Sequence, residues 1–322
     1  MAPDPLACCP NTIVTITDRK FLAAVFLLVL SIRYHRVKAK INILCVGLDA
    51  AEKALFTQLP GVAVFDASPA NRRNPATRKC EAILTAEADG ADYVTLLDGD
   101  GLVMGDITPY LSPGEVFSTR LKSAAEDARV FASRYAPGEP HAGIPRRMLE
   151  VWQRDVGENP RSALTVSVAS GNLTVHRRFF PFVRRWHEQM MRVLPEVDKG
   201  TSCDRASLAY FQLDESVLES LLAFAKDAPP VAPGRLDQDP NAYVAHLGPH
   251  PKPWVLLPVN KLKYFRPITR LVDWARRENW RLPPLPWTFH KRNAPLVFAA
   301  AYAYYGWQLL RTLARKLRNR LR

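Results

Sequence analysis

Four short apolar runs alternate with stretches of helical spacing through the first hundred residues. The runs are "TIVTI" (12–16), "INILCV" (41–46), "VAVF" (62–65) and "YVTLL" (93–97). Between them lie the apolar "FLAAVFLLVLSI" (21–32), a polar helical stretch at 50–58, and "PATRKCEAILTAEA" (75–88), with Ala82, Ile83 and Ala86 at inward spacing. Strands this apolar need cover on both faces, and the intervening helices supply it. The order predicts an α/β domain with a mostly parallel central sheet. Ligands of such sheets bind beyond the carboxyl ends of the strands. The fourth run stops at such an end, on Asp98-Gly99-Asp100; apolar residues resume at Leu102 and a third carboxylate follows at Asp106.

Two carboxylates one residue apart at a strand end can share a hard divalent cation. Magnesium or manganese takes oxygen ligands, few of them from protein, and completes its shell with phosphate oxygens. Taken alone, D-x-D also suits a solvated turn. A second string, "HLGPHPKPW" (246–254), points to chemistry. His246 offers a ring nitrogen as a third ligand, where a lone histidine would read as a hydrogen-bonded core residue. Lys252 is a point charge suited to a phosphate.

These strings together resemble the family 8 glycosyltransferases, the group containing glycogenin and bacterial lipopolysaccharide galactosyltransferases. That family has D-x-D after an apolar strand, usually followed by "LVLGD"; here it is "DGDGLVMGD". Its H-x-x-G-x-x-K-P-W is matched by "HLGPHPKPW", with Gly248 one place early. Its N-S-G turn and D-Q-x-x-L-N helix start correspond to "ASGNL" (169–173) and "DESVLE" (214–219). The resemblance covers roughly residues 12–256. It implies a nucleotide-sugar-binding domain of the GT-A type and a metal-dependent, anomer-retaining hexosyl transfer from a UDP-sugar to a glycan or glycolipid, in surface polysaccharide or lipopolysaccharide synthesis. Carried over, Asp98, Asp100 and His246 would hold Mn²⁺ or Mg²⁺, and Lys252 would contact the diphosphate. Thr17 and Asp18 fall where the family contacts the uridine. Arg78 takes the place of a basic residue near the donor sugar, with Ser170 and Gly171 close by. Asp214 would orient substrate hydroxyls.

This chain departs from the pattern at three positions. Ala169 replaces the family's Asn, with Asn172 able to supply an amide from a shifted place. Glu215 replaces Gln, and Glu219 replaces Asn. A carboxylate at 215 would stabilise oxocarbenium charge or act as a nucleophile. It would equally suit a solvated acid at a helix start. Two other classes compete. A nucleotidyltransferase shares the strand-end carboxylates but wants a glycine-rich loop after the first strand, and "TDRKFLAA" (17–24) has no glycine. A binding or scaffold protein on a decayed transferase fold would explain Ala169, Glu215 and Glu219.

Beyond the acidic turn, helices are predicted at 144–154, 178–194 and 210–225. In the last of these Val217, Leu218, Leu221 and Leu222 form the inner face. Residues 163–177 read as strand, Ser170-Gly171 break and strand. Residues 112–163 show few clear periods and suit acceptor-binding loops. The five cysteines, Cys8, Cys9, Cys45, Cys80 and Cys203, are scattered and read as reduced thiols.

Charge is unevenly placed. The segment from Lys261 to Arg322 holds 15 of the 44 Lys and Arg against two acids, Asp273 and Glu278, so the whole formal excess of +13 lies there. Leu310, Leu313, Leu317 and Leu321 share one helical face, and Arg311, Arg315, Arg318 and Arg322 another, after an aromatic-rich stretch at 294–310. A basic amphipathic helix of this kind suits the interface of an anionic membrane. Nucleic acid is not expected, since no binding motif accompanies the charge. The run at 21–32 is 12 residues long. A span needs about 20, so it predicts a buried helix; a secretory signal is disfavoured because "RYHRVK" follows it. The reading is thus a tail (1–10), a catalytic domain (11–256) and a basic helical extension (257–322). The expected location is cytoplasmic, peripheral on the cytoplasmic face of a membrane.

Overall fold

The computed structural model describes residues 9–68, 75–159, 164, 166–197, 207–236, 243–248 and 251–320. The chain opens with β1 (Asn11–Thr17), α1 (Leu22–Tyr34), β2 (Lys40–Cys45), α2 (Ala50–Thr57), β3 (Val62–Asp66), α3 (Lys79–Leu84) and β4 (Tyr93–Leu96). It continues with β5 (Gly101–Val103), β6 (Phe117–Thr119), α4 (Ala124–Val130), α5 (Arg146–Val156), β7 (Leu173–His176), α6 (Phe180–Val197) and α7 (Leu213–Phe224). Last come β8 (Val231–Pro233), β9 (Val244–His246), α8 (Phe265–Arg277) and α9 (Ala294–Arg320). Seven strands form one sheet in the order β3-β2-β1-β4-β7-β6-β8, in which only β7 runs against its neighbours. The expected α/β architecture with a mostly parallel sheet is therefore present, as is the long C-terminal helix.

Alternate side chains of the strands enter two cores. On β1, Ile13 joins one and Val14 the other; on β2, Ile43 and Leu44 divide likewise. One core lies under α3, α5, α6 and α7. The other lies under α1, which is buried from Val25 through Ile32 because β5, β9 and α8 cover what the sheet leaves open. Burial on every side explains why that helix is apolar all round. Ser31 fixes it to β5: its hydroxyl donates to Leu28 O at 2.7 Å and accepts from Val103 N at 2.9 Å. Ile268, Leu271, Val272 and Ala275 bury α8 in the same core.

Two sequence expectations change. Residues 75–88 form a short α-helix between two tight 3₁₀ turns rather than one helix. Among the described residues of 163–177 only the second half is a strand; Val168 makes one isolated bridge to Leu121. The N–H groups of Ser167, Val168 and Ser170 go to side-chain carboxylates instead of a ladder: Asp127 at 3.0 Å, Glu219 at 2.9 Å and Glu215 at 3.3 Å. Cys8, Cys203, Ala163, Thr165, Pro249, His250, Leu321 and Arg322 lie outside the described residues.

The end of the chain projects. Val297 and Ala301 are buried against the body, with Val297 against Leu257 and Phe265. Beyond them Tyr302, Tyr305, Trp307, Leu310, Leu313 and Leu317 are each at least half exposed. Among the described residues no helix is long and apolar enough to cross a membrane.

Candidate active site

The acidic turn is placed by β4 and closed by its own backbone. Leu97 N bonds Val14 O at 3.0 Å, and Gly101 N bonds Asp98 O at 2.8 Å. A Cβ on Gly99 would sit 2.8 Å from Val25 Cγ2 and 3.0 Å from Ile16 O, so glycine lets the turn lie against α1 and β1. The turn leads into β5, which pairs antiparallel with β9 in a register that sets Gly101 opposite His246. Leu247 N then bonds Asp100 O at 2.9 Å. Two strands of three residues thus bring together side chains almost 150 positions apart.

One ligand atom from each of Asp98, Asp100 and His246 lies within 4.8 Å of the others. Glycines make the space around them: a Cβ on Gly171 would sit 2.2 Å from Asp98 Oδ2, and one on Gly248 would sit 2.7 Å from His246 Nε2 and 3.1 Å from Asp100 Oδ2. Two carboxylates, one imidazole and glycine-walled room fit a hard divalent cation that keeps positions open for phosphate oxygens. Two lysines attend the acids. Lys252 Nζ pairs with Asp100 Oδ2. Lys79 Nζ lies 3.1 Å from Asp98 Oδ1, 2.9 Å from Asp214 Oδ2 and 3.0 Å from Ser170 Oγ.

Burial opposes charge on Asp100, but the His246 hydrogen bond, His246 charge and Lys252 outweigh it and hold the carboxyl well below its usual range. The same 3.1 Å contact between His246 Nε2 and Asp100 Oδ1 raises the imidazole's pKa, against burial. Burial likewise opposes Asp214, and Lys79 with the Ser170 hydroxyl lowers it.

Four carboxylates on α4 and α7 hang the segment 167–171 beside the acidic turn. Asp127 accepts from Ser167 N and Oγ, Glu219 from Val168 N, Glu215 from Ser170 N, and Asp214 from Ser170 Oγ at 2.7 Å. Lys122, 9% exposed, is ion-paired to Glu215, 12% exposed. Glu215 is therefore not the solvated helix-start acid that its position allows. Burial raises its pKa and Lys122 offsets part of that rise. Glu219, one helical turn on, is buried, and burial followed by the Glu215 charge pushes its pKa well up.

That shift has a sign. A carboxyl whose folded pKa exceeds its unfolded value binds more protons in the folded state, so its contribution to stability falls as pH rises through the window between the two. Glu219→Gln keeps the oxygen that accepts from Val168 N and removes the titration. The variant is expected to melt a few degrees above wild type at pH 8, with the gain shrinking toward pH 5. Calorimetric melting curves at both values check it; a variant that melts lower at pH 8 contradicts it.

Nine of the residues singled out from the sequence, Asp18, Asp98, Asp100, Ser170, Gly171, Asp214, Glu215, His246 and Lys252, line one cavity of about 870 Å³. Thr17 does not; it is buried, and its hydroxyl donates to Asp18 O at 3.1 Å. Arg78 does not either. Its Nη1 donates to Ser68 Oγ at 2.9 Å and Glu81 Oε2 at 2.6 Å, and it borders a separate cavity of about 350 Å³ beside Cys45 and Asp66. Lys79, the next residue, is the one that reaches the acidic turn. The sequence reading missed Lys79, Lys122 and Phe21. For Lys122 a signal existed: Glu215 and Glu219, at i and i+4 on an apolar helix, call for a buried cation. Asn172, at φ 52°, lines the cavity from the left-handed conformation that asparagine tolerates.

Two solved structures share this arrangement of elements. The apo form of the bifunctional glycosyltransferase WbbM matches with a TM-score of 0.53 at 14% identity, over 86% of this chain and 50% of that one. The galactosyltransferase LgtC, solved with donor and acceptor sugar analogs, matches with a TM-score of 0.52 at 16% identity, over 86% of this chain and 98% of that one. The chain therefore spans half the length of the first and nearly all of the second. The fold is of the GT-A glycosyltransferase type. No protein-family profile matches the sequence, and no curated protein does.

Proposed function

We propose that the protein is a metal-dependent, anomer-retaining glycosyltransferase that moves a hexose from a UDP-sugar to a glycan or glycolipid acceptor, in surface polysaccharide or lipopolysaccharide synthesis. The observation that carries this reading is the convergence of Asp98, Asp100, His246 and Lys252 in one large cavity beyond the end of β4. Asp98, Asp100 and His246 would hold Mn²⁺ or Mg²⁺, which when bound offsets the charge of a diphosphate leaving group. Lys252, paired with Asp100, would meet the departing phosphate as a second positive charge. Asp18, which follows β1 and lines the cavity, would contact the nucleoside. Ser170 and Asp214, hydrogen-bonded to each other, would orient the donor sugar's hydroxyls. Glu215, held by Lys122, supplies the negative charge that an oxocarbenium-like transition state calls for. A glycosyl-enzyme on Glu215 is the other form of the same reading. Glu215→Gln separates them: retained turnover with an unchanged product anomer leaves no place for a nucleophilic Glu215.

Isothermal titration with UDP, with and without Mn²⁺, tests the whole. Metal-dependent binding is expected. Binding of neither UDP nor metal would leave a scaffold on a transferase fold.

Residues 11–256 form the catalytic unit in this reading, and 257–322 attach it to an anionic membrane on the cytoplasmic face. The support is α9, whose exposed Tyr302, Tyr305, Trp307, Leu310, Leu313 and Leu317 stand beside exposed Arg311, Arg315 and Arg318. Basic residues near an anionic surface contribute about 1 kcal/mol each. The protein is expected to sediment with anionic liposomes, less so at high salt, and not with neutral ones. A chain ending at Asn293 keeps the buried Thr288 and Phe289; it is expected to lose the liposomes and keep UDP. Full-length protein that ignores anionic liposomes at low salt contradicts the attachment.

A further inference from the structure

Lys252 rests on two aromatic rings as well as on an acid. Its ammonium lies 5.5 Å from the ring centroid of Phe21 and 5.9 Å from that of Trp254. The rings meet edge to face at 5.0 Å. Phe21 is itself fixed at the end of β1, where its N–H bonds Asp18 O at 3.1 Å and Asp18 Oδ1 at 3.0 Å. Its ring also backs the acidic turn: a Cβ on Gly99 would lie 3.6 Å from Phe21 Cδ1. Trp254, like Phe21, packs against the core under α1 and α8. One aromatic pair thus touches the end of β1, the acidic turn and the lysine.

The lysine needs this support because its acid partner has a second use. Asp100 Oδ2 is Lys252's partner, and Asp100 belongs to the candidate metal cluster. A cation held by Asp100 competes with the ammonium for that carboxylate. Lysine then has a flexible four-carbon stem and no other partner among the described residues except the two rings. Aromatic faces attract an ammonium without donating or accepting a hydrogen bond, so they can hold it in place and leave its protons free.

We propose that Phe21 and Trp254 are positioning residues. They keep the Lys252 ammonium beside the acidic turn when a cation occupies Asp100, so that it meets the β-phosphate of an entering nucleoside diphosphate. The proposal rests on the reading of the cavity as a nucleotide site. It predicts that loss of an aromatic face is felt only by a ligand that has a β-phosphate, and only through Lys252.

Calorimetric titration of the full chain in Mn²⁺ tests this, with UDP and UMP as probes. Trp254→Leu and Lys252→Met are each expected to weaken UDP about tenfold while leaving UMP within about twofold. Trp254→Phe should restore most of the UDP affinity. The double variant Trp254→Leu/Lys252→Met should bind UDP no more weakly than Lys252→Met alone, since the rings act through the lysine. Phe21→Leu, which leaves Trp254 in the core, repeats the test should Trp254→Leu fold poorly. Equal weakening of UMP and UDP, or additive losses in the double variant, would overturn the positioning role while leaving the nucleotide site standing. A wild-type protein that binds neither nucleotide overturns the site, and the positioning role with it.

Discussion

Asp100→Asn is expected to lower Mn²⁺-dependent release of UDP from a UDP-sugar by roughly 10²–10³-fold, the range that follows removal of one preorganised electrostatic group. Asparagine keeps the shape and one oxygen but loses the charge on which three neighbours depend. His246 sits on Oδ1, Lys252 on Oδ2, and a cation at the cluster would take one of these oxygens as a ligand. Asp98→Asn should act in the same direction. His246→Ala should cost less, because a neutral imidazole is the softer ligand for a hard cation. A strand-end D-x-D also suits a solvated turn, in which loss of Asp100 would spare the fold. The structure corrects this: its side chain is 5% exposed, so the Asn variant also leaves Lys252 and a raised-pKa His246 without their counter-charge. Activity and melting temperature should therefore both fall for Asp100→Asn, and activity far more than stability for Asp98→Asn, whose side chain is 27% exposed. Wild-type turnover in either variant, or in excess EDTA, contradicts the metal assignment.

The half of the site that was legible in the sequence is the half built from contiguous residues. Apolar runs alternating with helices place β1 to β4 in one parallel sheet, and the abrupt end of the fourth run marks the acidic turn that lines the large cavity. "HLGPHPKPW" carries its own chemistry. What brings it to the acidic turn is the β5–β9 pairing, three residues on each side, too short to leave a periodic signal. The strand expected before Ser170 failed for a related reason. Its residues do alternate, but the N–H groups of Ser167, Val168 and Ser170 go to carboxylates 40 to 51 positions away, on α4 and α7. The four apolar residues on α7 are indeed buried; so are Asp214, Ser216 and Glu219, because the helix lies between the core and that hanging segment. Arg78 stands outside the large cavity, and its neighbour Lys79 lines it. Neighbouring side chains at a helix start point about 100° apart, so Arg78 turns to Glu81 and Ser68 while Lys79 turns to the acids.

That neighbour carries the largest expected effect on stability. Lys79 is buried and joins three groups, Asp98, Asp214 and Ser170, through one ammonium. Burial works against its charge, but Asp214 and then Asp98 outweigh burial and raise its pKa. Lys79→Met preserves much of the stem's volume and removes the charge. Two carboxylates then face each other across the site with no counter-ion, and breaking a buried pair in this way costs about 3–5 kcal/mol. The loss should depend on pH with a definite sign. Asp214 has a depressed folded pKa, so it contributes stability above its unfolded value, and that contribution disappears as pH falls through the folded one. Without Lys79 the largest cause of that depression is gone, and the Ser170 hydrogen bond alone sustains less of it. The gap between wild type and variant should be widest at neutral pH and should narrow in acid, as protonation of Asp214 relieves the repulsion. Urea unfolding at pH 7 and pH 4 measures the two gaps. Added Mn²⁺ should restore part of the stability at pH 7, since a divalent ion at Asp98 and Asp100 supplies charge where the ammonium was lost. Arg78→Ala is the contrast. It breaks the pair with Glu81 outside the cavity, so whatever stability it costs should show no Mn²⁺ rescue. A Lys79→Met protein as stable as wild type at pH 7, or one whose deficit grows in acid, would remove Lys79 from its place as the counter-ion of the site.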